Sequence, residues 1–250
     1  MFRPKDNFEW DMLDIYNFNK PGKLDFYFKF LFENLNKKGD LIEAGVFRGT
    51  SLLSVALFLK ENNSEKIIYG YDSFCGFPNI YHENDSINKY NELFKNKLIS
   101  KKHFNRVQSS KNILKFFSKS INADNISISG DFSNTSKSLL ENKIELLGLD
   151  NIRLIDGDFR NTMSENFNVK PNKILAGIID CDLYNSYKIS LNFFYPKLVN
   201  NGAFYLDEYY SLKFPGAKIA VDEFKENNII TLKKLNNSGL EFERWMLYKN

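Results

Sequence analysis

The chain has 250 residues, 43% of them hydrophobic, with a formal net charge of +3, which is enough apolar material for one large α/β domain spanning 1–250. The lysines are scattered among acidic residues, so no nucleic-acid partner is implied. No stretch reaches the ~20 apolar residues of a membrane span, and the opening MFRPKDNFEWDM lacks the basic end and apolar run of a secretory leader; a cytoplasmic protein without membrane insertion is expected.

Residues 1–39 read as an N-terminal helical segment rich in aromatics, including Phe8, Trp10, Tyr16, Phe18 and Tyr27. They pack either on their own domain or across a homodimer. The first strand, Asp40 to Ala44, runs into Gly45 and Gly49, and a helix follows with Thr50 or Ser51 near its cap. A second strand, Lys66 to Tyr71, ends in Asp72. From Cys75 to Ile126 the pattern is irregular, polar and aromatic; it is too long for a simple connection and reads as an insertion covering the site, with a helix around Ile87 to Leu98. Its most basic stretch, Lys95 to Arg106, is read as solvated helix surface. Cys75 and Cys181 lie far apart without metal-type spacing, so reduced thiols are expected.

After Asp131 a helix with Leu139, Leu140, Ile144 and Leu147 at helical spacing stops at Gly148. Strands then fall at Asn151 to Ile155, Ile174 to Asp180, Ala203 to Asp207 and Arg244 to Tyr248. Helices are placed at Ser186 to Leu198 and, with Pro215 in its first turn, after Phe214. Strands alternating with amphipathic stretches are the mark of a parallel sheet.

Three strand ends suit a nucleotide-like ligand. Glu43-x-Gly45-x-x-x-Gly49 offers open backbone at a helix start, although glycines are common at such turns. Asp72 stands where a carboxylate accepts the hydroxyls of an adenosine ribose. Asp158 and Phe159 offer a carboxylate to an exocyclic amine and an aromatic face or N–H to adenine. A nicotinamide dehydrogenase fits less well, because the turn lacks G-x-G-x-x-G and Glu43 would repel a pyrophosphate. Arg48 either contacts a cofactor carboxylate or forms a surface salt bridge, and His82 in the insertion is more simply a solvated loop histidine. Farther on, Asp180 and Asp182 end one strand while Asp207 and Glu208 end the next. If those strands are neighbours the four acids converge, with Cys181 turned away by alternation, and a hard divalent cation relieves their repulsion.

The runs EAGVFRGTS, YGYDSFCGFP, IDCDLYNSYKISLNFFYPKLVNNGAFYLDEYY and PGAKIAVDEF, over roughly residues 40 to 225, resemble the macrocin O-methyltransferase family. The resemblance implies a class I methyltransferase, Rossmann-like α/β fold with a mostly parallel seven-stranded sheet, helices on both faces and an inserted lid. It further implies transfer of a methyl group from S-adenosylmethionine to a sugar hydroxyl of a glycoside, nucleotide sugar or surface glycan, with Mg2+. Carried over position by position, Asp180, Asp207 and Glu208 become metal ligands and Asp182 the general base. Glu43, Gly45, Asp72, Ser73 and Asp158 match cofactor positions, beside Arg48, Gly49, Thr50, Ser51, Phe159 and Asp180. Glu208 departs from the family's usual aspartate. Two alternatives stand at this stage: a metal-dependent glycosyltransferase using Asp180-x-Asp182, and a non-catalytic methyltransferase-like scaffold.

Overall fold

The computed structural model describes residues 2–78, 81–118, 120–235 and 242–250. Two helices, α1 (Asn7–Met12) and α2 (Asp25–Asn34), precede β1 (Asp40–Ala44), α3 (Thr50–Glu61) and β2 (Ile68–Asp72). Then come α4 (Lys89–Lys95), α5 (Lys101–Leu114), α6 (Lys137–Leu147), β3 (Ile152–Asp156) and α7 (Phe159–Thr162). The chain finishes with β4 (Ile174–Ile179), α8 (Tyr184–Phe194), β5 (Leu198–Tyr210), α9 (Pro215–Glu226), β6 (Ile230–Lys234) and β7 (Glu243–Lys249).

The strands form one sheet in the order β3-β2-β1-β4-β5-β7-β6. Only β7 pairs antiparallel, with β5 on one side and β6 on the other. This is the doubly wound, class I methyltransferase arrangement that the resemblance implies. Strand order reverses between β1 and β4, which pair in parallel, and ligands of open α/β sheets bind beyond the carboxyl ends of strands at that point.

Alternation along β1 explains why both faces need helices. Leu41 belongs to a core with α1, α2, α3 and α6, whereas Ile42 belongs to a second core with α8 and α9. The N-terminal aromatics pack on their own domain: Trp10, Tyr27 and Phe28 are buried, and the Phe18 ring lies 5.4–5.5 Å from those of Trp10, Phe28 and Phe58, edge-on to the first and last and tilted to Phe28. Among the described residues no helix is long and apolar enough to cross a membrane.

Several boundaries differ from expectation. The strand β6 was not expected, because its run ITLKK lies half exposed at the sheet edge and mixes Lys233 and Lys234 with two apolar residues. The helix expected at 87–98 is α4, shorter at both ends; the chain turns at Lys97, whose φ is +59°, and a further helix, α5, follows beyond the expected range. The helix expected at 186–198 begins earlier and ends earlier, at Tyr184 and Phe194. Thr50 and Ser51 do lie beside the cap of α3, which is Gly49, at φ 82°, with Thr50 the first helical residue. Most consequentially, Asp207 and Glu208 do not end their strand, which continues to Tyr210.

Candidate active site

Gly45 brings the two central strands together. Its φ is +88°, and a β-carbon there would lie 1.8 Å from the Asp180 carbonyl oxygen, so no other residue permits β1 to leave the sheet this close to the end of β4. The loop that follows is tied to β2: the N–H groups of Val46 and Phe47 each donate to Asp72 Oδ2 at 2.8 Å, and Phe74 N–H donates to Oδ1 at 2.7 Å. Asp72 thereby fixes the first loop against the second strand while still lining the cavity.

That cavity, of about 580 Å3, opens at the carboxyl ends of β1 to β5. Of the candidate residues it is lined by Gly45, Thr50, Ser51, Asp72, Ser73, Asp158, Phe159, Asp180, Asp182, Asp207 and Glu208. Glu43, Arg48 and Gly49 do not line it. Arg48 lies over the Phe47 ring and donates through Nε to the Asn134 carbonyl at 3.0 Å. Glu43 is wholly buried beneath the turn, with Oε1 accepting from Ser51 Oγ at 2.5 Å and Oε2 without a hydrogen-bond partner. Burial raises its carboxyl from 4.5 to about 8, against the lowering effect of the Ser51 bond. Asp158 caps α7 and holds Arg160 through contacts of 2.9 and 2.6 Å.

The acidic end depends on two departures from regular strand geometry. Between Leu206 and Tyr210 of β5 lie three residues, where only Arg244 lies between their partners Trp245 and Glu243 on β7. Such a bulge breaks the alternation that would send neighbours to opposite faces. Asp207 and Glu208 therefore both offer oxygens to the same place, and with Asp180 they form a set of ligand atoms within 4.8 Å of one another. The second departure is at Asp182, whose φ is +57° in a tight turn closed by Leu183 N–H on the Cys181 carbonyl at 2.6 Å. Strand alternation thus does not place Asp182 beside Asp180, as the sequence suggests; a turn in the left-handed region does, and such backbone recurs at functional sites. Asp182 stands outside the three-acid set. Cys181 also lines the cavity, with its Sγ 3.9 Å from Ser190 Oγ.

Two cations that sequence reasoning missed complete the site. Lys23 Nζ reaches Asp207 at 3.2 Å and Asp180 at 3.6 Å, and Arg244 Nε lies 3.0 Å from Asp207. Nothing in the spacing around Lys23 marks it. Arg244 carried a signal, as an arginine beside the apolar run Trp245 to Tyr248; it is buried there, where a charge needs a partner. Tyr187 supports Glu208 from below: its hydroxyl lies 2.8 Å from both Glu208 Oε2 and the Ile179 carbonyl, and accepts from Glu208 N–H at 3.0 Å.

The carboxyls respond unequally. Burial pushes Asp207 upward, but Lys23 and Arg244 more than offset this and hold it below the usual carboxylate range. Burial and then the neighbouring acids raise Asp180, Asp182 and Glu208. Four acids facing two close cations leave negative charge unmatched. Three converging carboxylates among them are hard oxygen donors, so the residues present fit a divalent cation such as Mg2+.

Part of the cavity wall is aromatic. Phe77, Phe132 and Phe214 line it, with ring centroids 5.1 Å (Phe77 to Phe132) and 5.9 Å (Phe77 to Phe214) apart; Phe77 opens the covering segment, and Phe132 and Phe214 lie beyond its expected end.

The family described as Macrocin-O-methyltransferase (TylF) matches residues 31–150 and 129–243. Among solved structures the chain is similar to the O-methyltransferase NovP, at 18% identity over 89% of this chain and 76% of that one, with a TM-score of 0.63. It is similar also to CalS11, calicheamicin methyltransferase, at 18% identity over 97% and 80%, TM-score 0.62. A third likeness is to an O-methyltransferase from Bacillus cereus in complex with S-adenosylhomocysteine, at 11% identity over 98% and 92%, TM-score 0.55. No curated protein matches by sequence.

Proposed function

From its membership of the macrocin O-methyltransferase family, which makes this chain an O-methyltransferase and sets aside the glycosyltransferase alternative, we propose that the methyl donor is S-adenosylmethionine and the acceptor a sugar hydroxyl, with Mg2+ held by Asp180, Asp207 and Glu208. The observation that carries the reading is one cavity lined both by an open glycine turn and by the converging acids. The acceptor class is supported by a further structure of CalS11, described as a TDP-rhamnose 3'-O-methyltransferase, similar over 97% of this chain with a TM-score of 0.52.

Each part of the wall has work in this reaction. Gly45 leaves its backbone unobstructed for the methionine portion of the donor. Asp72 accepts two backbone N–H groups on Oδ2 and one on Oδ1, which leaves a lone pair of Oδ1 for a ribose hydroxyl. Asp158 and Phe159 lie where adenine would be received. S-adenosylmethionine supplies a methyl group already activated by its sulfonium, and Mg2+ at the three acids would lower the pKa of an acceptor hydroxyl. Asp182, beside the acids but outside their set, accepts the hydroxyl proton as the new C–O bond forms and the C–S bond breaks, leaving S-adenosylhomocysteine. Lys23 and Arg244 hold Asp207 ionised. The remaining demand is positioning, which the aromatic wall meets by holding a sugar face against the acids.

Replacement of Asp182 with Asn tests the assignment. Calorimetric binding of S-adenosylmethionine should be unchanged, while methyl transfer to a panel of nucleotide sugars and glycosides, TDP-rhamnose included, should fall ~100-fold or more. Full turnover by that variant would remove Asp182 from the role of base.

A further inference from the structure

The segment between the second strand and α6 carries a charge pattern that methyl transfer does not use. From Leu93 to Ala123 there are seven lysines, one arginine and no acidic residue. The whole chain has a net charge of only +3, so the rest of it is net acidic. This is the most polarised part of the molecule.

The helix α5 sorts that stretch into two sides. His103 and Val107 are buried, in a small core with Tyr90, Leu93 and Ile99. Lys101, Lys102, Asn105, Ser109, Asn112 and Ile113 are exposed. Immediately after the helix, Phe116 and Phe117 are 89% and 83% exposed, and Ile128 is fully exposed. The segment has a core of its own, so these aromatics are not left outside for want of one. Among the described residues, the lysines of this stretch form no ion pair with an acid, and together with the adjacent exposed phenylalanines they make an apolar and cationic surface. Phe77, Phe132 and Phe214 pack on the same small core and line the active-site cavity.

We propose that the outer side of this segment docks the protein onto an anionic lipid bilayer, with Phe116 and Phe117 entering the headgroup boundary and the lysines of α5 meeting lipid phosphates. The chemistry fits this occupant on both counts. Peripheral attachment takes two signals, an apolar wedge and a polybasic patch, and the segment supplies both within a few turns. A soluble polyanion would engage the lysines and leave the phenylalanines idle. A second copy of the chain would set one block of cations against another, which repels. Docked in this way, the surface that meets lipid and the wall of the cavity belong to one packing unit.

The test is flotation of the full chain with vesicles of phosphatidylcholine alone, and with vesicles of phosphatidylcholine and phosphatidylglycerol in equal parts. Two variants accompany it, Phe116→Ser with Phe117→Ser and Lys101→Glu with Lys102→Glu; all four side chains are exposed, and thermal melting checks that each variant folds. The parent should bind the phosphatidylglycerol vesicles and not the neutral ones, and each double variant should bind ~tenfold or more weakly. Absence of binding to phosphatidylglycerol vesicles would overturn the proposal. Undiminished binding by the phenylalanine variant would also overturn it, in favour of a purely electrostatic polyanion site. A dimer in sedimentation that this variant abolishes, with no vesicle binding, would assign the face to a second copy instead.

Discussion

Replacement of Glu43 with Gln separates the energetic role of this buried carboxyl from its chemical one. In the free protein Glu43 is wholly buried, and its folded-state pKa is raised from 4.5 to about 8 by burial. A raised carboxyl pKa gives stability that is fully present below pH 4.5, where both states are protonated, and lost as pH rises through about 8, because the unfolded chain ionises first. Each pH unit within that window removes about 1.4 kcal/mol, so the whole window amounts to on the order of 5 kcal/mol. Gln keeps the shape and still accepts from Ser51 Oγ, but it does not ionise. Urea unfolding of parent and variant at pH 5, 6, 7 and 8 isolates the difference, since all other titrating groups are common to both. The gap should open steadily in favour of Gln. Parallel profiles across the four pH values would refute the reasoning about burial. A second readout bears on function: a donor ammonium near Glu43 should restore its ionisation, so S-adenosylmethionine binding at pH 7 should release a proton in the parent and none in the variant, measured by calorimetry in buffers of different ionisation enthalpy.

Gly45→Ala should cost at least ~2 kcal/mol of stability and abolish detectable donor binding, because its β-carbon would meet the Asp180 carbonyl at 1.8 Å in a backbone region that favours glycine; a normal denaturation midpoint would contradict this. Lys23→Met removes a cation 3.2 Å from Asp207 and 3.6 Å from Asp180. The metal-free protein should melt earlier, and Mn2+ should bind ~tenfold more tightly by calorimetry; unchanged affinity would mean that Lys23 does not share the acids with a cation.

Much of the site could be read from the chain because its signals are local. A glycine turn after an apolar strand, an acid at the end of the next and D-x-D at the end of the fourth each depend on a few consecutive residues whose backbone demands are fixed by their own chemistry. Gly45, Asp72, Asp158 and Asp180 accordingly line the cavity as those patterns suggest. The helix from Lys137 to Leu147 was legible for the same reason, with Ser136 as its cap and Gly148 in the left-handed region at its end. The edge strand β6 was not, because half its residues face water and its alternation is too short to stand out.

What the tertiary structure alone decided is how the charges meet. Neighbouring residues on a regular strand point to opposite faces, so Asp207 and Glu208 should not converge. They do so because β5 bulges opposite Arg244, and a bulge is a property of two paired strands. Lys23 reaches Asp207 from 184 residues away in sequence, and only packing on the sheet puts it there. The identities of the acids follow from the sequence; their number around one point, and the cations that share it, follow from strand pairing and from the docking of the N-terminal segment.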